Sequence, residues 1–264
     1  MTTRLQLIGG GRMGEALLGG LLAAGWAEAA DLAVVEKIEG RRKDLADRFG
    51  SVQVVDEPVA AEGVVIAVKP GDVPDACRAA SAAGVSRVLS IAAGVTIADL
   101  EAALGKGTPV VRAMPNTPAL IGAGAAAIAP GSAAGEDDLV WAEGVLAAVG
   151  TVVRVPEQLL DAVTGLSGSG PAYVFLVAEA LIEAGVLAGL PRDVSTTLTI
   201  QTLLGSARLL AETGDGPEAL RAAVTSPGGT TAAGLRALEQ AGVRSAFLDA
   251  VSAATERSRQ LGQG

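Results

Sequence analysis

Gly9, Gly11 and Gly14 stand at G-x-G-x-x-G spacing inside the run Ile8-Gly9-Gly10-Gly11-Arg12-Met13-Gly14. The run follows a strand-like stretch, Leu5–Ile8, and opens a helical pattern, which is the context the motif requires. Gly9 permits a tight turn, Gly11 has no side chain to hold a pyrophosphate away, and Gly14 lets helix and strand pack closely. The helix start then offers free N–H groups and a positive dipole end to phosphate oxygens. Glu36 lies 22 residues past Gly14 and ends the second strand-like run. An acid there is placed to accept hydrogen bonds from the ribose hydroxyls of NAD. Lys37, Arg41 and Arg42 follow closely and offer charge for the 2′-phosphate of NADP. The residues therefore leave NADH and NADPH both open.

Three further strand ends carry small or proline-fixed backbone. They are Ala67-Val68-Lys69-Pro70, Ser90-Ile91-Ala92-Ala93-Gly94 and Arg112-Ala113-Met114-Pro115-Asn116-Thr117-Pro118. Ligands of open parallel sheets sit at the carboxyl ends of strands, so these three segments and the glycine loop describe one cofactor crevice.

Two loops in the second half carry other chemistry. Gly165-Leu166-Ser167-Gly168-Ser169-Gly170-Pro171-Ala172-Tyr173 reads as a Gly/Ser loop feeding a long apolar helix, with Pro171 at a helix-starting position. Thr225-Ser226-Pro227-Gly228-Gly229-Thr230-Thr231 also precedes a helix. Consecutive free N–H groups and several hydroxyls make a cradle for a carboxylate. A plain N-cap needs only one of those hydroxyls.

The elements that hold these residues follow from hydrophobic pattern. Short β-branched runs alternate with helical segments over the first 110 residues, which specifies βαβ units and a parallel sheet with helices on both faces. A further sheet-edge region with strand-like runs at Ala125–Ile128 and Val152–Val155 surrounds a helix near 136–149. From 157 onward the pattern is all helical. The domains expected are 1–156, a Rossmann-like dinucleotide domain, and 157–264, an all-α substrate and dimerisation domain. The stretch Pro171–Leu190 is apolar nearly all round and needs cover that so small a helical domain cannot supply, so a second subunit is expected.

Composition closes off other classes. The 264 residues contain one cysteine and no histidine. Zinc sites of the usual ligand sets, intramolecular disulfides and Ser-His or Cys-His pairs are excluded. Cys77 reads as a small buried residue. The net charge of −9, with no basic stripe, argues against a nucleic-acid partner. No signal-like segment precedes the first strand, and the apolar stretch near 172–190 carries Glu179 and Glu183, so a cytoplasmic protein without a membrane span is expected. Aromatic residues are 2% of the chain, so the core must be built from Ala, Val, Leu and Ile.

Taken together, the glycine loop, Ala67–Pro70, Arg112–Pro118, Ser167–Tyr173 and Ser226–Thr231 resemble pyrroline-5-carboxylate reductases, in order and spacing and over essentially the whole chain. The resemblance implies reduction of 1-pyrroline-5-carboxylate to L-proline with NADPH or NADH, the last step of proline biosynthesis. It implies an intertwined dimer of the C-terminal helices, with assembly on to decamers. Ile8, Gly9, Gly10, Gly11, Arg12 and Met13, with Glu36 and Lys37, Ala67, Val68, Lys69 and Pro70, Ile91, Ala92 and Ala93, and Asn116, would line the cofactor. Ser226, Gly228, Gly229, Thr230 and Thr231 of one subunit would bind the substrate carboxylate at the cleft, with Thr231 hydrogen-bonding the ring nitrogen as the catalytic contact. A family member carries a hydroxyl residue where Glu36 stands here.

The chemistry suits a chain without histidine. A cyclic imine can take its proton from water, so the protein has mainly to position two reactants and exclude solvent. A β-hydroxyacid dehydrogenase, by contrast, needs a lysine acid/base where this chain has Val174, and its only lysines are Lys37, Lys43, Lys69 and Lys106. A reductase of another cyclic imino acid and a non-catalytic NAD(P) sensor remain as alternatives. The sensor would have no use for a carboxylate cradle.

Overall fold

In the computed structural model, residues 3–262 are described. Eight strands form one sheet: β1 (Thr3–Ile8), β2 (Leu32–Val35), β3 (Gln53–Val55), β4 (Ala61–Ile66), β5 (Val88–Ser90), β6 (Val110–Met114), β7 (Gly124–Pro130) and β8 (Gly150–Arg154). Their spatial order is β3-β2-β1-β4-β5-β6-β7-β8. Strands β1 to β6 are all parallel, as the alternation predicts. The last two strands depart from that pattern: β7 runs antiparallel to β6, and β8 is parallel to β7. Only a short 3₁₀ segment, Thr117–Ile121, joins β6 to β7, too little chain for the crossover that a parallel neighbour needs.

The helices of this unit are α1 (Arg12–Ala23), α2 (Glu39–Phe49), α3 (Val73–Ala82), α4 (Ile97–Leu104), α5 (Glu136–Ala147) and α6 (Leu160–Val163). They cover both faces of the sheet, and alternation along β1 shows how. Leu5 and Leu7 join a core with Leu17, Leu18 and Leu21 of α1 and Trp141 and Val145 of α5. Ile8 faces the other way, into a core with Val73 and Cys77 of α3 and Leu100 of α4. Strands buried on both faces read as continuous apolar runs, which is why β1, β2 and β4 stand out in the sequence. Gln6 is the polar exception: fully buried, its Oε1 accepts from the Val59 N–H at 2.7 Å.

The remaining helices are α7 (Gly170–Leu187), α8 (Arg192–Glu212), α9 (Pro217–Ala223), α10 (Thr230–Gln240) and α11 (Val243–Leu261). The chain divides into two compact units: one runs to Ser169 and takes in the chain from Ser252, and the other holds Gly170–Val251. Within the second unit, α7 and α8 pack as a hairpin. The Ser195 hydroxyl donates to the Ile182 carbonyl at 2.8 Å, and Arg192 grips Glu183 through both its terminal nitrogens at 2.8 and 3.1 Å. Gly185 sits against the Ser195 side chain, where no Cβ fits.

Among the described residues, no hydrophobic side chain beyond Leu160 is buried. Phe175 is 62% exposed, Leu176 64% and Leu187 91%. Helix α7 is thus apolar over most of its surface and covered within its own chain only where it meets α8. The expectation of a buried helix holds only if another molecule supplies the cover.

Candidate cofactor and substrate sites

Hydrogen bonds beyond the strand ends bring the first set of candidates to one sheet edge. The Gly9 N–H donates to the Val35 carbonyl at 2.9 Å, Ala67 N–H to Ile8 at 2.8 Å, and Ile91 N–H to Ile66 at 3.1 Å. Gly9, Glu36, Ala67 and Ile91 therefore stand side by side at the carboxyl ends of β1, β2, β4 and β5. That edge flanks the point where the strand order turns back, with β2 on one side of β1 and β4 on the other.

The glycines do what their spacing requires. Gly9 has φ +111°, and a Cβ there would stand 2.5 Å from the Ala67 carbonyl oxygen. A Cβ on Gly14 would run into the Gly9 carbonyl, and one on Gly11 would meet nothing. Gly11 is the N-cap of α1 and no side chain caps that helix. An exposed loop at an uncapped helix start is a phosphate cradle, so a dinucleotide pyrophosphate fits the residues present. Gly10 is buried, whereas Gly11 and Arg12 are exposed and Met13 half-buried. Lys69 and Pro70 are exposed beyond β4, with Ala67 and Val68 half-buried. Ile91 is half-buried, Ala92 buried and Ala93 exposed.

Around Glu36 the structure is more specific than the sequence. The Glu36 carboxylate accepts from the Gly10 N–H at 3.1 Å and from the Ile38 N–H at 2.9 Å. Arg41 donates through Nε to the Gly10 carbonyl at 2.8 Å and pairs with Glu15, which also pairs with Arg48. Arg42 donates to the carbonyls of Glu36 and Lys37, both at 2.8 Å. The partner that sequence reasoning passed over is Glu15. Its one signal was an acid in the first turn of the motif helix, opposite a basic α2.

Asn116 is also held by the protein. Its Nδ2 donates to the Ser167 carbonyl at 3.0 Å and its Oδ1 accepts from the Ala125 N–H at 2.8 Å. Nearby, Glu157 Oε1 accepts from the buried Arg112 at 2.9 Å and from the Ile97 N–H at 2.7 Å, pinning the start of α4.

The Gly/Ser segment is not a loop. Thr164–Gly168 forms a π-helical turn between α6 and α7, with the Ser169 N–H donating to the Thr164 carbonyl at 2.8 Å. A Cβ at Gly168 would meet the Met114 methyl at 2.6 Å, so a larger residue there would have to displace that side chain. Such turns cluster at functional positions.

The second candidate loop lies in the helical unit. Gly228 has φ +71°, and the Gly229 N–H donates to the Ser226 carbonyl at 3.0 Å. Gly229 is the N-cap of α10, and no side chain caps that helix either. The hydroxyls that a plain N-cap would use are not so used: Thr225 donates to the Arg221 carbonyl at 2.6 Å instead. Ser226, Gly228 and Thr230 are exposed, and Gly229 and Thr231 half-buried. The start of α10 is therefore free to receive an anion.

Cys77 is fully buried behind the sheet, where burial pushes its thiol up to about 11. Among the described residues no cluster of three or more potential metal ligands occurs.

A family model described as pyrroline-5-carboxylate reductase dimerisation matches residues 157–261, and one described as NADP oxidoreductase, coenzyme F420-dependent, matches residues 4–94. A pyrroline-5-carboxylate reductase of Synechocystis is 46% identical, covering 100% of both chains. One from Mycobacterium tuberculosis is 47% identical over 98% of this chain and 96% of its own. The structure of a pyrroline-5-carboxylate reductase from Coxiella burnetii superposes with a TM-score of 0.93 at 36% identity, covering 99% of each chain. The Plasmodium falciparum enzyme, solved with NADP bound, gives 0.85 at 29% identity over 98% of each. With the motifs, the sheet order and the helical half all in agreement, the chain belongs to the pyrroline-5-carboxylate reductase family.

Proposed function

We propose that the glycine loop and the Ser226–Thr231 loop divide the work of one reaction. That reaction is the reduction of 1-pyrroline-5-carboxylate to L-proline with NAD(P)H. The observation that carries it is identity of 46% with a pyrroline-5-carboxylate reductase across the full length of both chains.

The bound dinucleotide supplies the hydride. The open amides at the start of α1 hold its pyrophosphate, and Ala67–Pro70 with Ile91–Ala93 line the same sheet edge. In the helical unit, the amides of Gly228 to Thr231 and the Ser226 and Thr230 hydroxyls hold the substrate carboxylate. The Thr231 hydroxyl accepts from the protonated ring nitrogen and orients it. No group on the protein has to titrate near neutral pH, because the imine arrives able to take its proton from water. The protein contributes mainly by fixing two reactants and keeping water out, which can supply a large part of the rate. Asn116 acts in this scheme through the backbone it holds.

We assign 1–156 to the cofactor and 157–264 to substrate and self-association, a division supported by the dimerisation model's match to 157–261. The chain self-associates. The species we propose is a dimer through the helical unit, assembling further to decamers, in the cytoplasm. The helical run Glu157–Leu187 is long and apolar enough to cross a membrane by length and composition alone. Its position inside the dimerisation match favours a second copy as the cover for those side chains.

The test is a mixture of the purified protein, 1-pyrroline-5-carboxylate and NADPH or NADH, followed by the absorbance of the reduced nicotinamide. Imine-dependent oxidation supports the proposal. No oxidation with either dinucleotide, in a protein that binds one of them, redirects the assignment to another cyclic imino acid or to a sensor.

A further inference from the structure

We infer that Glu36 makes this chain select NADH over NADPH. The inference rests on the proposed cofactor role of the glycine loop.

The geometry at the end of β2 points one way. Each carboxylate oxygen of Glu36 takes one backbone donor, Gly10 N–H on one and Ile38 N–H on the other. These two bonds fix the carboxylate across the turn that would hold the adenosine half of the dinucleotide. A carboxylate has about four acceptor positions, so two remain for the vicinal hydroxyls of an unmodified ribose. A 2′-phosphate offers no donor when ionised and brings like charge beside a fixed anion.

Three of the nearby cations are held within the protein, while Arg12 of the glycine loop is exposed. Arg41 is tied to the Gly10 carbonyl and to Glu15. Arg48 is tied to Glu15 as well, so that single acid draws two guanidinium groups along α1. Arg42 closes the end of β2 by holding the carbonyls of Glu36 and Lys37. Lys37 is exposed, as are its neighbours Ile38 and Glu39. A solvated ammonium next to Glu36 and Glu39 is a weak counterweight, since exposed charge pairs contribute little. A site built for the 2′-phosphate would instead leave a guanidinium fork open towards the loop.

The experiment measures binding without any imine. Full-length protein is titrated calorimetrically with NADH and with NADPH, and the titrations are repeated for Glu36→Ser and Glu36→Gln. The wild type is expected to bind NADH more tightly by on the order of tenfold, the value of one charge-assisted hydrogen bond. Glu36→Ser removes the acceptors and the charge, so the ratio should narrow by a similar factor or invert. Glu36→Gln keeps the shape and one acceptor, so its ratio should narrow mainly through tighter NADPH. Equal binding, or tighter NADPH, in the wild type overturns the inference and leaves the cofactor role of the loop standing. An unchanged ratio in both folded variants overturns Glu36 as its cause. Failure to bind either dinucleotide overturns the cofactor role and the inference together. Should Glu36→Ser not fold, the wild-type ratio and the near-isosteric Glu36→Gln decide.

Discussion

The Asn116 side chain reaches the Ser167 carbonyl at 3.0 Å, joining residues 51 positions apart. With its other end on the Ala125 N–H, this amide ties the loop after β6 to the start of β7 and to the π turn that leads into α7. The turn lies close to Met114, whose methyl group occupies the space a side chain on Gly168 would need. Asn116 is thus a brace between the sheet edge and the first helices after it.

Asn116→Ala should therefore destabilise the fold. Two hydrogen bonds are lost and two half-buried backbone groups must turn to solvent, a cost of about 1–2 kcal/mol. Urea denaturation should show a lower midpoint with an unchanged slope. A variant of wild-type stability whose dinucleotide binding alone is lost would make Asn116 a direct cofactor contact instead.

Thr231→Ala should lower turnover of the imine by roughly tenfold or more, the value of one hydrogen bond to a charged nitrogen. Dinucleotide affinity, measured separately, should stay as in the wild type, and Thr231→Ser should recover most of the rate. Steady-state rates unchanged in Thr231→Ala would remove this hydroxyl from the mechanism.

The uncovered face of α7 should respond to charge. Phe175→Asp with Leu176→Asp places two carboxylates where, on the present reading, a second copy packs. Each side chain taken from such an interface forfeits roughly 1.5–3 kcal/mol, and a two-fold contact counts it twice. Sedimentation velocity should show smaller species and a lower melting temperature. An unaltered assembly would place the interface on other faces of the helical unit.

Cys77 should resist alkylation at neutral pH in the native protein and react once it is unfolded. Burial raises the thiol to about 11, so the folded state favours the protonated form. Between the unfolded value, near 8.5, and that raised value the unfolded chain binds fewer protons, so stability is full below this window and falls as pH rises through it. Rapid labelling of the native protein at pH 7 would show that the α3 face opens readily.

The amino-acid sequence by itself determined the Rossmann-like half closely, because a strand buried on both faces and a G-x-G-x-x-G turn leave local marks at fixed spacing. Gly9, Gly11 and Gly14 reveal their roles through what their missing side chains permit, and that is a property of the residue type. The helical half was legible as helices, and its apolar surface as a need for a partner. What only the tertiary structure decided are relations between residues distant in the chain. Glu15 removes Arg41 and Arg48 from the set of free cations, Arg42 turns inward on the end of β2, and Asn116 spends its amide on Ser167 and Ala125. A basic residue near an acid reads the same in sequence whether its guanidinium faces a ligand or a carbonyl. The reversal of β7 and the π turn at Thr164–Gly168 were hidden for the same reason: strand direction and helical pitch there follow from short connections and from packing against Met114, not from local propensity.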